Sequence, residues 1–503
     1  MALLVWQHSG ETRASKSAMW GDPGLKERRP GGRTRGCRNA RYVAPVQAHV
    51  VFRHGARSPF QDSPDAPNIW VRQGAFSALP AMLHASRAER AAVTDIRLVR
   101  CQAPDLRAKA ARLPLKLQLI DYATGEKLPL AHILGSNAPL EGLSDEKSLG
   151  GGLQCGMLTV SGLEQAHELG QRMGEIYVKS GFVHYVTDVR LRCSLTPRTL
   201  ETLFGCLSGM FPFDSQFPDV HPVIVGKKGV GSGHTDWLNV AIESCPRLKE
   251  LFMEGVRQWN GDTMPQEVAT FMDSCIATTQ LDMVGGDARK YGVIAWRDFT
   301  SCRLGSGLKL QGGVTTELYD KIDNMAARQA GSWFMGGLQR PPGRREETLR
   351  LSHGRTLAEI VQHLKAARQG ERGPKVVLYS AHDWTVMPLM MMLSDPVSPP
   401  RWPRFCSDLR IELVRERSGA KNYFVRAFYC SGTQGKGLGW GPSERVHIMG
   451  EEGGELVELS KFCELVRVFM PADVDRECAC SPENGTGIGA VPASLTADDF
   501  AED

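Results

Sequence analysis

The sequence predicts an α/β protein, and three observations carry that prediction. Short β-rich runs alternate along the chain with amphipathic helices. Two of those runs end in turns loaded with charge, His54 among arginines and His382 beside Asp383. The stretch from about 225 to 355 lacks regular strands and has Gly-rich breaks, which predicts a helical cap.

In chain order, the first 44 residues carry a formal charge of +6 and the remaining residues −2. The basic character therefore belongs to a leader, and the folded body is not expected to bind nucleic acid. The leader, with Arg28-Arg29-Pro30-Gly31-Gly32-Arg33-Thr34-Arg35, has little apolar surface to bury. Its apolar start, Ala2 to Trp6, is too short and too early for a secretory signal. An Arg-rich leader fits a mitochondrial transit segment, against which Glu11, Asp22 and Glu27 weigh; a solvated tail fits as well.

His49-Val50-Val51-Phe52 predicts a short strand, followed at once by Arg53-His54-Gly55-Ala56-Arg57-Ser58-Pro59. In an α/β sheet the carboxyl end of a strand is where ligands bind. Residues 61 to 115 are Ala/Arg-rich without a clear apolar stripe and predict an insertion. Thr159 can cap a helix over about 160–178, whose Leu163, Ala166, Gly170, Met173 and Tyr177 share one face. His167, between them, is expected to be structural. Asp188 to Arg192 predicts a strand, with Arg198 in the turn or helix start beyond it.

Further helices are predicted over 317–330 and 356–368, the latter from Leu357, Ile360, Val361 and Leu364. Lys375 to Ser380 predicts a strand, and Ala381-His382-Asp383-Trp384 leaves its end. The longest apolar run, Val386 to Leu393, suits a buried helix and is far short of the roughly 18 residues a membrane span needs. Leu409–Val414 and Asn422–Tyr429 predict a hairpin around Ser418-Gly419-Ala420. Thirteen scattered cysteines without a CxxC pair give no support to a metal site.

Sharing a sheet, these strand ends would gather Arg53, Arg57 and Arg198 with His54, His382 and Asp383. Guanidinium forks suit a tetrahedral dianion, a histidine can form a phosphoenzyme, and a carboxyl can protonate the leaving oxygen.

At this point the sequence resembles the histidine acid phosphatases. Arg53 to Pro59 matches that family's RHGxRxP motif and His382-Asp383 its HD pair. The resemblance implies that His54 is the nucleophile and Asp383 the proton donor, with Arg53, Arg57 and His382 holding phosphate. The family's R-S-T-x-x-x-R-T stretch reads Arg192-Cys193-Ser194-Leu195-Thr196-Pro197-Arg198-Thr199, departing at Cys193 and Ser194, and places a further phosphate ligand on Arg198. Leu158 to Gln165 resembles the family's L-T-x-x-G-x-x-Q helix. Segments ending at Cys245 and Cys478 resemble two whose cysteines pair in secreted relatives, which makes Cys245–Cys478 a candidate disulfide, with two reduced thiols as the alternative.

The resemblance also implies a mixed sheet flanked by helices with a mainly helical second domain, no metal or other cofactor, and activity favoured by acid. The expected layout is a leader over 1–44, a catalytic core over 45–215 and 356–480, a cap over 216–355 and a flexible tail over 481–503. Within the family the likeness is strongest to the mitochondrial lysophosphatidic acid phosphatases. It rests on Val51–Pro59, Gly151 to Thr159, His234-Thr235-Asp236, Leu351 to Gly354 and the surroundings of His382. A lysophospholipid phosphate is thus the expected substrate and a mitochondrion the expected location, with the cytoplasm as alternative. A broad-specificity or inositol-phosphate acid phosphatase is the second reading, and a non-catalytic phospho-ligand binder the third. Phe60, Trp237 and Trp384 are candidates to line a lipid groove or, equally, plain core.

Overall fold

In the computed structural model, the described residues are 43–60, 116–128, 156–211, 221–226, 236–259, 292–310, 314–337, 341–394, 401–417, 422–433, 439–449 and 456–479, apart from isolated positions, with short strand and helix pieces elsewhere. The leader to Arg41, nearly all of 61–115 and the tail 481–503 lie outside them.

The strands are β1 (Val43–Arg53), β2 (Ile96–Arg97), β3 (Lys116–Asp121), β4 (Ser148–Leu149), β5 (Leu153–Gln154), β6 (Val189–Cys193), β7 (His221–Val225), β8 (Val376–Ala381), β9 (Asp408–Glu416), β10 (Tyr423–Cys430), β11 (Ser443–Val446) and β12 (Val457–Glu458). The described helices of eight or more residues are α1 (Val160–Met173), α2 (Pro197–Met210), α3 (Pro246–Trp259), α4 (Gly292–Gly305), α5 (Thr316–Phe334), α6 (Arg344–Gln369), α7 (Asp383–Leu393) and α8 (Leu459–Val466), followed by a short α9 (Val474–Cys478).

Ten strands form one mixed sheet in the order β11-β10-β9-β1-β8-β6-β7-β3-β2, with β12 against β10. The centre, β1-β8-β6-β7-β3, is parallel, and the margins are antiparallel. Position in the sheet explains the sequence of each strand. Central β8 is covered on both faces, so its residues read as an unbroken buried run. Alternate residues still serve opposite layers: Val50 and Phe52 pack with helices α1 and α2, while Val51 joins the core shared with α3 to α7.

The predicted stripe of α1 is buried, and the Thr159 side chain caps the helix by accepting from the Gly162 amide. The chain then continues through a wider turn over Gly174–Val178. The hairpin is present as β9–β10, and the apolar run from Val386 lies in buried α7. Helix α6 differs from the expectation: it starts at Arg344, not at 356, and runs straight through Gly354. That glycine is a packing site rather than a break, because a Cβ there would lie 2.2 Å from the Phe469 carbonyl oxygen. Within the expected insertion, Ile96–Arg97 pair with β3. Among the described residues no helix is long and apolar enough to cross a membrane.

Cys245, at the start of α3, and Cys478, in α9, form a disulfide that closes 233 residues of chain. Such a cross-link restricts the unfolded chain, and losing one typically costs about 2–5 kcal/mol. Cys245→Ser should therefore lower the melting temperature by roughly 5–10 °C without changing the site. Thermal scans with and without reductant check this: the wild type should fall to the variant's value on reduction, and the variant should not respond.

Candidate active site

Strands β1, β8 and β6 are neighbours in the sheet, and their carboxyl ends are level: Arg53 pairs with Ala381 and Cys193 with Ser380. Backbone bonds carry the alignment past the strands, from His54 N to Ala381 O at 2.9 Å and from Ser194 N to Ser380 O at 3.0 Å. Sheet register alone thus brings the three predicted charged turns to one edge.

His54 is 1% exposed. Its Nδ1 lies 2.8 Å from the Gly55 carbonyl oxygen, which can only accept, so Nδ1 carries the proton and Nε2 the lone pair. Burial, then Arg198, Arg53, His382 and Arg57 in turn, push the imidazole well below its usual range and keep it neutral. The result is a buried neutral imidazole, its free nitrogen fixed by tautomer, among three guanidiniums.

The three arginines are held by ion pairs, a backbone carbonyl and aromatic faces, with Arg57 and Arg198 on the same ring. Arg53 donates to the Pro403 carbonyl at 2.8 Å, pairs with Asp383 at 2.9 Å and lies over the Phe405 ring at 4.2 Å. Arg57 pairs with Asp298 at 2.8 Å and lies over Phe60 at 3.7 Å. Arg198, second residue of α2, lies 5.6 Å from the centre of the same Phe60 ring.

Asp383 opens α7 and is 2% exposed. Its Oδ2 accepts from the Trp402 indole at 2.8 Å, and Arg297 stands 3.9 Å away. Burial is the largest single influence and pushes its pKa up, but Arg53, Arg297, the Trp402 bond and Arg57 together pull it below the ordinary carboxylate value. In the competition between burial and arginines, the arginines win.

The turn at His54 is set by α1 and α2. Gln165 of α1 accepts from the Ala56 amide at 2.9 Å, and Thr202 of α2 from the Gly55 amide at 3.0 Å. Thr159 donates to the Ala56 carbonyl. Gly55 and Gly162 face each other so closely that a Cβ on Gly55 would lie 2.1 Å from the Gly162 oxygen. Gly55→Ala must therefore move either the turn or α1. It should cost about 1–3 kcal/mol or more and lower kcat by at least tenfold. Comparing melting temperature and turnover with Gly373→Ala, where the nearest atom to a new Cβ would be 3.9 Å away, checks this.

Residues 46–280 match the model of the histidine phosphatase superfamily, branch 2. Human prostatic acid phosphatase is 26% identical over 331 residues, covering 64% of this chain and 79% of that protein. Bovine lysophosphatidic acid phosphatase type 6 is 24% identical over 474 residues, covering 88% and 87%. By this match and these relatives, the chain is similar to the histidine phosphatases. Two solved structures share its fold. They are the Hafnia alvei phytase, with TM-score 0.52 and 11% identity over 88% of this chain and 99% of that one, and the Citrobacter braakii phytase, with 0.51 and 16% over 87% and 100%. The chain thus has the α/β histidine phosphatase fold.

The structure places all six predicted residues, Arg53, His54, Arg57, Arg198, His382 and Asp383, at this edge, each less than 9% exposed. Several others went unread from sequence. Arg297 and Asp298 both come from α4 and reach Asp383 and Arg57 respectively. Trp402 and Phe405 come from the loop after α7. Ser194 and Asp236 meet behind His382. Of the groove candidates, Phe60 is half-buried beside Arg57 and Arg198, Trp237 stacks near Tyr122, and Trp384 is core among Phe252, Trp333 and Phe334. His167 bonds Ser208 between α1 and α2, a structural contact. Among the described residues no group of three or more His, Cys, Asp or Glu side chains has a metal-holding arrangement.

Proposed function

We propose that this protein hydrolyses phosphate monoesters through a phosphohistidine on His54. The observation that carries the reading is the Nδ1–H bond to the Gly55 carbonyl, which leaves the Nε2 lone pair for attack between Arg53, Arg57 and Arg198. The guanidiniums and His382 would hold the equatorial oxygens and stabilise the charge spread over them. Nε2 forms a bond to phosphorus as the ester P–O bond breaks, and Asp383 gives its proton to the departing oxygen. Water then attacks the phosphohistidine with Asp383 as base, which regenerates both groups and releases phosphate. This scheme needs no metal, since the arginines supply the positive charge and Asp383 the leaving-group proton.

For the substrate we propose lysophosphatidic acid, giving monoacylglycerol and phosphate. Support comes from the long alignment with the bovine lysophosphatidic acid phosphatase and from half-buried Phe60, an apolar surface directly beside two of the arginines. A broad or inositol-phosphate acid phosphatase is the competing reading. The Arg-rich leader supports a mitochondrial location, and the disulfide favours an oxidising compartment over the cytoplasm.

The test is phosphate release with EDTA present from lysophosphatidic acid, phytate and p-nitrophenyl phosphate side by side. The lipid should have the highest kcat/KM. Equal rates on all three would assign a general acid phosphatase, and release from none would leave a phospho-ligand binder.

A further inference from the structure

Behind His382 lies a buried chain of polar groups that the proposed mechanism leaves unused. Ser194 Oγ donates to Asp236 Oδ2 at 2.7 Å, and His382 Nε2 lies 2.9 Å from the same hydroxyl. The Leu195 amide donates to that same Asp236 oxygen at 3.2 Å, which marks the oxygen as an acceptor. A hydroxyl has one proton, and here it points at Asp236, so Ser194 must accept from His382. The ring therefore carries its proton on Nε2. All three residues are essentially buried, at 1% exposed for Asp236 and 0% for Ser194 and His382.

The chain is rigid as well as dry. Ser194 follows β6, its amide is bound to Ser380 of β8, and its carbonyl accepts from Thr199 Oγ1 at 2.7 Å. The His382 amide donates to Thr385. The other groups around the ring mostly oppose a positive charge on it. The His54 ring is 5.6 Å away, centre to centre, and Arg53, Arg57 and Arg198 surround His54; Asp383, next in sequence, is paired with Arg53. A neutral Nε2–H ring has no second N–H to offer a phosphate. To donate to a phosphate as well as to Ser194 it needs a second proton.

We propose that Asp236 is a positioning residue that acts through the Ser194 hydroxyl on His382, holding the ring as an Nε2–H donor and stabilising the doubly protonated ring that grips a phosphoryl oxygen. The inference rests on the reading of His382 as a phosphate ligand and adds the group that prepares it. A buried carboxylate linked through one oriented hydroxyl acts in a low-dielectric setting, where it counts for more than it would in water.

The experiment is calorimetric titration of the full chain with inorganic sulfate, a tetrahedral dianion whose charge does not change between pH 4 and pH 8. It compares wild type, Asp236→Asn, Ser194→Ala, Ser194→Thr and His382→Ala, with p-nitrophenyl phosphate turnover measured alongside. Wild-type affinity should fall across the pH at which His382 loses its second proton. In Asp236→Asn and Ser194→Ala that fall should move to lower pH by roughly one unit, about tenfold in affinity at intermediate pH. Ser194→Thr, which keeps the hydroxyl, should retain the wild-type curve, and His382→Ala should lack this step. An unshifted fall in Asp236→Asn or Ser194→Ala overturns the proposal even if the melting temperature drops. Should Asp236→Asn fail to fold, Ser194→Ala decides. A fall of unchanged size and midpoint in His382→Ala also overturns it. Sulfate binding with the expected shifts but no turnover by wild type would instead sink the hydrolytic scheme and leave the relay standing.

Discussion

Replacing His54 by alanine should abolish turnover, by on the order of 10⁴-fold or more, while the protein still folds and still binds phosphate. The expectation follows from how the residue is held. Its side chain makes a local bond to the adjacent Gly55 carbonyl, and the turn is fixed by backbone bonds to Gln165 and Thr202 that the substitution leaves in place. What disappears is the Nε2 lone pair. The check is rapid mixing with a labelled phosphomonoester and an alkaline quench, which preserves phosphohistidine. The wild type should show label on protein and His54→Ala none. Label retained by the variant would assign the nucleophile elsewhere.

Asp383→Asn should separate substrates by their leaving groups. An alkoxide needs a proton as it departs, whereas p-nitrophenolate leaves well without one. The variant should therefore lose about 10²–10⁴-fold on an alkyl phosphate and less than about tenfold on p-nitrophenyl phosphate. Equal losses would contradict the general-acid role. The pH dependence has a defined sign. Asp383 must be protonated to donate, and its pKa in the ligand-free site is lowered, so kcat/KM should rise as pH falls. A bound phosphate dianion opposes the arginines and raises that pKa, so the alkaline limb of kcat should lie at higher pH than that of kcat/KM. His54, held well below its usual range, stays neutral through the same interval and does not cap activity near pH 6.5.

The parts of this site legible in the sequence are those with dense local chemistry. Arg53, His54 and Arg57 crowd one strand end, and His382-Asp383 follow an apolar run, so both turns stand out from residue order alone. Residue order places Arg198 beyond a predicted strand, and the family pattern adds its expected role as a phosphate ligand. Arg297 and Asp298 left no trace for a physical reason: α4 is buried on several sides, with Val293, Trp296, Arg297, Phe299, Thr300, Cys302 and Arg303 all inside. A helix covered on several sides has no single apolar stripe to read. Trp402 and Phe405 lie in irregular chain, where an aromatic residue has no periodic context. The early start of α6 was hidden by Gly354, whose role depends on a carbonyl at Phe469, over a hundred residues away. The Asp236–Ser194–His382 chain joins three segments and exists only as geometry.

The position of β1 between β8 and β9 also bears on how the protein is made. Both partners lie far downstream, and contacts between β1 and β8 span about 330 residues. At synthesis rates of roughly 5–20 residues per second, β1 emerges about 15–70 s before either neighbour exists. During that interval Val50-Val51-Phe52 has no sheet to enter, and such a strand is a template for wrong pairing. The strand that leads to His54 thus waits for the last quarter of the chain. Expression of this protein should respond to chaperones and slow growth, and fragments ending before residue 376 should accumulate as aggregates.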